Sequence, residues 1–411
     1  MRGFRSPCFH VPAGIRLSRQ EFGQPMSDIQ REIFKKTQRY FLSPIQEYLD
    51  DHSITEIMIN GPYEIYIEQK GKLIKTDKIF RSPNHLLAAA RNIAQFVGKR
   101  ITHEYSRIDC RLPDGSRVHI INAPAARNGL SIAIRKFGKD KMSVAKLVSF
   151  GSMTPAMAEF IQICILAEKN ILVSGGTSSG KTSLLNAISE YLPNHERIIV
   201  LEDSSELQLK QEHVVYLEAQ QADRYGKGGV TIGDLFHSCL RMRPDRIIIG
   251  EVRGGEALDM LQAMTSGHGG SMTTNHANTA GDALRRLETM ALMSATELPL
   301  FAVRSQVSSA IDVVIQTLRF NDGTRRLLAI TEVLGVDDKN NYIFNEIFKF
   351  KGEGESPEGK VLGKHVWTGQ VPQFAEEVIG RGLKRYVKLT PRVFNLEPPA
   401  TPGPPKAKLT V

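Results

Sequence analysis

The chain has 411 residues, 41% of them hydrophobic, and a formal net charge of +9. That length predicts two or three domains with sizeable cores. No apolar run approaches the roughly 20 residues that span a bilayer, so the expectation is a protein that is soluble or peripheral to a membrane. The basic excess is spread along the chain; it permits contact with nucleic acid or an anionic membrane face without requiring either. Cys8, Cys110, Cys164 and Cys239 are too scattered for a metal site or a disulfide framework, which fits a reducing compartment.

Residues 1–25 hold Arg2, Arg5, Arg16 and Arg19 among scattered Gly and Pro, and read as a disordered extension. A regular segment opens at Met26, and residues 26–137 read as an α+β domain. A helix from Ser27 leads to short alternating runs, Ile54–Ile59 and Glu64–Glu68, with turns at Asn60-Gly61-Pro62 and Lys70-Gly71-Lys72. Pro83 to Val97 is helical, with Leu86, Leu87, Ala90, Ile93, Ala94 and Val97 on one face. A hairpin follows, turning at Pro113-Asp114-Gly115-Ser116, and then a strand from Leu130 to Arg135.

Residues 138–152 read as a linker with one short helical piece, Val144–Val148. Residues 153–395 open with a helix, Thr154–Ala167, and then alternate strand and helix. The expected strands are Ile171–Val173, Ile198–Leu201, Arg246–Ile249, Ser271–Thr274 and Ala310–Ile315, a spacing that calls for a parallel sheet with crossover helices. Further on, Asn340–Phe350 reads as a strand or hairpin, Lys351–Gly359 as a polar loop and Pro372–Ile379 as a short helix. The Pro-rich residues 396–411 read as disordered.

The stretch that carries chemistry begins at the end of the first of these strands. Gly175, Gly176, Thr177, Ser178, Ser179, Gly180, Lys181, Thr182 and Ser183 form a glycine-bounded loop running into a helix. Backbone N–H groups of such a loop turn inward on phosphate oxygens, and the helix N-terminus adds partial positive charge. Lys181 would reach the β- and γ-phosphates, and the Thr182 hydroxyl would hold Mg²⁺. Hydrolysis needs more parts, and three strand exits offer them. Ile198–Leu201 runs into Glu202, Asp203 and Glu206, carboxylates that could hold Mg²⁺ through water or orient an attacking water. Arg246–Ile249 runs into Gly250 and Glu251; Glu251 is the candidate general base. Asp245 and Glu256 read as structural, and Arg241, Arg243 and Arg253 could reach phosphate or form ion pairs. In the third, His268 and His276 flank a short glycine-bounded strand, and no third ligand joins them at metal spacing. An imidazole there could sense the γ-phosphate, bonding either to it or to Glu251.

Together these four stretches resemble the Walker A, Asp box, Walker B and His box of the secretion ATPase superfamily, which drives type II and type IV secretion and type IV pili. A Walker B reading Gly250-Glu251 is a feature of that family. The likeness spans about residues 30–395. Ile54–Pro62, Leu112–Val118, Ile134–Phe137 and Gly369–Phe374 look most like the CpaF branch, the motor ATPase of Tad pili.

The resemblance implies an α/β fold: a P-loop (RecA-like), mostly parallel sheet ATPase domain after a smaller α+β (PAS-like) domain. It implies ATP and Mg²⁺ as cofactors, a homo-oligomer (a hexameric ring), an inner-membrane platform protein as partner and a site at the cytoplasmic face of the inner membrane. By motif position Arg117 and Arg135 would reach the phosphates, while Glu251, Glu202, Glu206 and His276 would complete the catalytic set. Two other readings stand beside it: a nucleic-acid-translocating P-loop ATPase, and a nucleotide-gated scaffold with little turnover. No aromatic-plus-basic stacking groove supports the former, and no nucleic-acid partner is expected.

Overall fold

The computed structural model describes residues 36–69, 71–136, 142–222 and 226–396. The expectations for residues 1–25 and 397–411 lie outside these. Two compact units divide the chain, residues 1–138 and 139–411. Among the described residues no helix is long and apolar enough to cross a membrane.

The first unit is a six-stranded antiparallel sheet covered by a helix. Its strands are β1 (Ile54–Asn60), β2 (Ile65–Gln69), β3 (Lys72–Lys75), β4 (Arg107–Arg111), β5 (Arg117–Ile121) and β6 (Ser131–Arg135). They are ordered β3-β2-β1-β6-β5-β4. Alternation puts Ile57, Ile59, Ile65, Ile67, Ile108, Val118, Ile120, Ile132 and Ile134 on one face. The helix Pro83–Phe96 lays Leu86, Ala89, Ala90, Ile93 and Ala94 in the same core. Ser82 caps that helix by accepting from the His85 N–H, with Pro83 behind it. On the opposite face the same alternation sets Arg111, Arg117, Arg135 and Glu56 in one cross-strand row.

The second unit is a nine-stranded sheet wrapped on both faces. The strands are β7 (Ile171–Gly175), β8 (Ile198–Glu202), β9 (Val214–Glu218), β10 (Arg246–Ile249), β11 (Met272–Asn275), β12 (Val313–Arg319), β13 (Arg325–Val336), β14 (Tyr342–Glu355) and β15 (Val361–Trp367). Their order is β15-β14-β13-β12-β7-β11-β10-β8-β9. From β9 to β12 every pairing is parallel; from β12 to β15 every pairing is antiparallel. Strands β7, β8, β10 and β11 are buried throughout, as parallel strands covered on both faces must be. One core lies under the helices Pro155–Leu166 and Lys181–Ile188. The other lies under Ile232–Cys239, Glu256–Thr265, Ala280–Ala291 and Leu300–Ala310. Cys164 and Cys239 are buried free thiols in these cores, and Cys110 is half-buried and free.

Several boundaries differ from the sequence expectation. The strand expected from Ala310 begins at Val313, because Ala310 still closes the helix Leu300–Ala310. The stretch expected as a polar loop from Lys351 is strand as far as Glu355. Its charged residues face outward on a two-stranded ribbon with β15, so polarity hid the pairing. The short helix starts at Ala375 rather than Pro372.

The C-terminal segment is tied down by one carboxylate. Glu159, buried on the helix Pro155–Leu166, accepts from the backbone N–H groups of Lys388, Leu389 and Thr390 at 2.8–2.9 Å and from the Thr390 hydroxyl at 2.7 Å. Beside it Phe160 stacks on Phe394, with ring centroids 5.5 Å apart. Glu159→Ala takes the acceptor from these donors and leaves the buried Thr390 N–H and hydroxyl unpartnered, which costs about 3 kcal/mol, and for a unit of this size lowers Tm by roughly 6–12 °C. Thermal melting of the full chain checks this, with Glu159→Gln, which keeps one carbonyl oxygen, falling in between. An unchanged melting point for Glu159→Ala would show that the segment is held by its aromatic packing alone.

Candidate functional site

Parallel strands deliver their C-terminal ends to one edge of the sheet. Here β7, β8, β10 and β11 are neighbours, so the glycine loop, Glu202, Gly250-Glu251 and His276 emerge side by side. Beyond its strand, β10 stays pinned to β11. The Val252 N–H donates to the Thr274 carbonyl at 3.1 Å, and the Thr274 hydroxyl donates to the Gly250 carbonyl at 2.7 Å. The Gln316 amide donates to the Ala277 carbonyl at 3.0 Å and holds the chain just after His276.

The loop after β7 is built by close approaches. A Cβ on Gly175 would overlap the Thr317 and Ser179 hydroxyl oxygens, so only glycine lets β12 pass this near. Ser179 Oγ and Thr317 Oγ1 are 2.8 Å apart, and Thr317 Oγ1 donates onward to the Ser174 carbonyl at 3.1 Å. Gly180 takes φ +95° and opens the helix Lys181–Ile188 as its N-cap. No side chain caps this helix, whereas Ser82, Ser143, Thr154, Thr231 and Thr279 each cap theirs. Its first-turn N–H groups thus carry no side-chain cap, the condition under which a helix start can take an anion. Thr182 and Ser183 stand in that turn, Thr182 half-buried and Ser183 exposed. Gly176, Thr177 and Ser178 form the rim of the loop.

Lys181 is buried, and its Nζ donates to the Gly175 and Gly176 carbonyls at 3.1 and 3.0 Å. The same Nζ lies 3.3 Å from His276 Nδ1, and His276 Nε2 lies 3.1 Å from Glu251 Oε1. Those partners assign the tautomer: Nδ1 accepts from the lysine and Nε2–H donates to the carboxylate. Burial, and then the Lys181 charge, hold the His276 pKa below its ordinary value against the pull of Glu251, so the ring is neutral at pH 7.

The other oxygen of Glu251, Oε2, accepts from Arg253 Nη2 at 2.8 Å, and Arg253 Nη1 reaches Asp203 at 3.1 Å. Burial would raise the Glu251 pKa; Arg253, His276 and Lys181 outweigh it and hold the carboxyl below the ordinary range. Glu251 is thus a half-buried carboxylate kept ionised. Arg253, which the sequence left open between phosphate contact and ion pairing, is an ion-pair residue here.

Glu202 is in a different state. It is buried, and its Oε1 accepts from the Glu206 and Leu207 N–H groups at 2.8 and 3.0 Å. Burial pushes its carboxyl up to about 7, against those two donors and with help from the Glu206 and Glu218 charges. It also crowds Gly250: a Cβ there would stand 3.0 Å from Glu202 Cγ, a tight contact that the Glu202 side chain would have to yield to. Gly270 has a structural cause, since the buried Arg246 guanidinium fills the space of its missing side chain. Glu256 accepts from the Arg253 and Gly254 N–H groups at a helix start, and Asp245 accepts from the Arg197 N–H.

Lys181, His276, Glu251 and Glu202 are therefore brought to one sheet edge, with Glu206 bound to Glu202 through its N–H. Arg117 and Arg135 belong to the first unit, where they face each other across β5 and β6, and Arg135 Nε lies 3.9 Å from Glu56. Among the described residues no group of three or more His, Cys, Asp or Glu could hold a metal ion. The available donors are hydroxyl and carboxylate oxygens, Thr182 first. That suits a Mg²⁺ that arrives with phosphates and keeps most of its waters, not a caged metal. Sequence reading missed Thr317 and Arg325, which touch the loop from β12 and β13. The Asn321-Asp322-Gly323-Thr324 turn between two apolar runs was the signal for that hairpin.

The family described as type II/IV secretion system protein matches residues 39–337. The type IV secretion system protein VirB11 of Brucella suis is 32% identical over 319 residues, covering 70% of this chain and 87% of that protein. A putative conjugal transfer protein of Mycobacterium tuberculosis is 31% identical over 292 residues, covering 70% and 82%. The solved ATPase DotB of Yersinia pseudotuberculosis superposes with a TM-score of 0.51 at 19% identity, covering 82% of this chain and 86% of that one, a likeness of fold.

Proposed function

The chain belongs to the type II/IV secretion system protein family, and from that premise we propose that it is a Mg²⁺-dependent ATPase whose hydrolysis drives pilus assembly or secretion. The observation that carries this reading is the contact chain Lys181–His276–Glu251, a phosphate lysine wired through one imidazole to an ionised carboxylate. In this reading the loop from Gly175 to Ser183 holds the triphosphate. Lys181 leaves the Gly175 and Gly176 carbonyls for the β- and γ-phosphates, a short swing of an already positioned ammonium. Thr182 would hold Mg²⁺, which supplies charge neutralisation across the phosphates. Glu251 takes the proton of the attacking water. His276, freed as Lys181 turns to phosphate, reports the γ-phosphate to Glu251 through its two ring nitrogens. Glu202 and Glu206 fix the neighbouring strand exit, and Arg117 and Arg135 supply guanidinium charge to the γ-phosphate.

The finer reading is a homohexameric ring of the Tad pilus motor (CpaF) branch, working at the cytoplasmic face of the inner membrane against a membrane platform protein. Family membership supports the secretion role, and the signatures at Ile54–Pro62 and Leu112–Val118 support the branch. The test is hydrolysis by the purified full chain. We expect phosphate release with Mg-ATP, its loss on chelation with EDTA, and less than about twofold stimulation by single- or double-stranded DNA. Strong DNA stimulation with steep salt dependence would move the protein to a nucleic-acid motor instead. ATP binding with no turnover in the assembled ring would make it a scaffold.

A further inference from the structure

We propose that Arg325, which lies outside the four stretches read from the sequence, is a positioning residue that sets the shape of the phosphate loop from the adjacent hairpin. The inference rests on the reading of that loop as a phosphate cradle. Ser178 sits at the outer rim of the loop with φ +59°, a left-handed conformation that a residue with a side chain rarely takes unaided. Something must hold it, and Arg325 is placed to do so. Its Nε donates to the Ser178 carbonyl at 2.9 Å, and its Cδ lies 3.3 Å from where a side chain on Gly180 would begin. The stem thus lies over one flank of the loop while the guanidinium fixes the peptide that follows Ser178.

Arg325 can hold the loop because its own backbone is held. Its carbonyl accepts from the buried Ser152 hydroxyl at 2.7 Å, and two residues on the Leu327 N–H donates to the Ser152 carbonyl at 2.9 Å. The turn before it is locked by Asp322, which accepts from the Thr324 N–H and hydroxyl at 2.9 and 2.7 Å and from the Val361 N–H at 2.9 Å. On the partner strand of the hairpin, Thr317 braces Ser179 and Ser174 from the inner side. The loop is therefore gripped on both sides by one β-hairpin, β12–β13. The grip is anchored at Ser152, in the stretch that sequence reading assigned to the linker between the domains. A displacement of Ser152 reaches Ser178 through a single side chain.

The experiment is a titration of the full-length chain with the fluorescent nucleotide mant-ADP in the presence of Mg²⁺, together with KM and kcat for ATP. Arg325→Met keeps the stem and removes the donors. We expect its nucleotide Kd and its KM to rise about tenfold, with kcat at saturating ATP within about twofold of wild type and an unchanged melting temperature. Arg325→Lys, which restores one donor, should recover part of the lost affinity. Hydrogen exchange of the amides from 176 to 182 should speed up in Arg325→Met. An Arg325→Met protein that binds like wild type, or an Arg325→Lys protein as weak as Arg325→Met, overturns the proposal. If Arg325→Met fails to fold, Ser152→Ala serves, with an expected rise in Kd of about two- to tenfold; no rise overturns it equally. Wild-type protein that takes up no mant-ADP removes the cradle reading itself, a different result from wild-type binding that the variants share.

Discussion

Lys181→Ala is expected to abolish nucleotide uptake, weakening Mg-ATP binding by about 10³-fold and taking hydrolysis with it. The magnitude follows from what the ammonium does. It is buried and already oriented by two loop carbonyls and His276 Nδ1, so little ordering remains to be done when phosphate arrives. A charge-assisted hydrogen bond to an anion in such a place contributes about 1.5–3 kcal/mol, and Lys181 can make two, to the β- and γ-phosphates. Isothermal titration with a non-hydrolysable ATP analogue measures this directly. The variant also loses a neighbour of His276. With the lysine charge gone, the ring keeps Glu251 as its partner and becomes easier to protonate. A variant that still binds the analogue with near wild-type affinity would mean that the loop is not the phosphate site, whatever its spacing.

Much of this site could be read from residue order because each part sits at a strand exit, where apolar runs stop and chemistry starts. The runs before Ser174, Glu202, Gly250 and His276 are short, β-branched and buried on both faces, so their ends were legible to within a few residues. What was not legible is lateral order. Nothing local says that β11 lies between β7 and β10, and it is that adjacency which puts His276 between Lys181 and Glu251. The antiparallel extension was also under-read. β14 ends in Lys351, Gly352, Glu353, Gly354 and Glu355, so polar residues on an outer ribbon disguised the end of that strand as loop. Glycines misled in a subtler way. Gly270 looks like motif chemistry, yet it is small because the Arg246 guanidinium occupies the space beside it, and Gly250 is crowded by the Glu202 side chain.

Glu251→Gln separates binding from chemistry, and its expected result is a loss of turnover of about 10³-fold with ATP affinity within a few-fold of wild type. General-base catalysis contributes roughly 10²–10⁴ in rate, and glutamine keeps the shape of the side chain while removing its basicity. Its amide can still accept from His276 Nε2–H or from Arg253 through the carbonyl oxygen, so the strand exit should hold its geometry. Binding should survive because the groups that grip phosphate, the glycine loop and Lys181, do not depend on the Glu251 charge. Single-turnover hydrolysis measures the loss, and analogue titration checks the affinity. The wild-type rate should fall on the acid side as Glu251 takes up a proton. Arg253 holds that pKa down, so removing the guanidinium should move the acid limb to higher pH. Turnover in Glu251→Gln equal to wild type would leave the Lys181–His276–Glu251 chain as a structural tie. The base would then have to come from elsewhere, with Glu202, poised near 7 by burial, the next carboxylate to test.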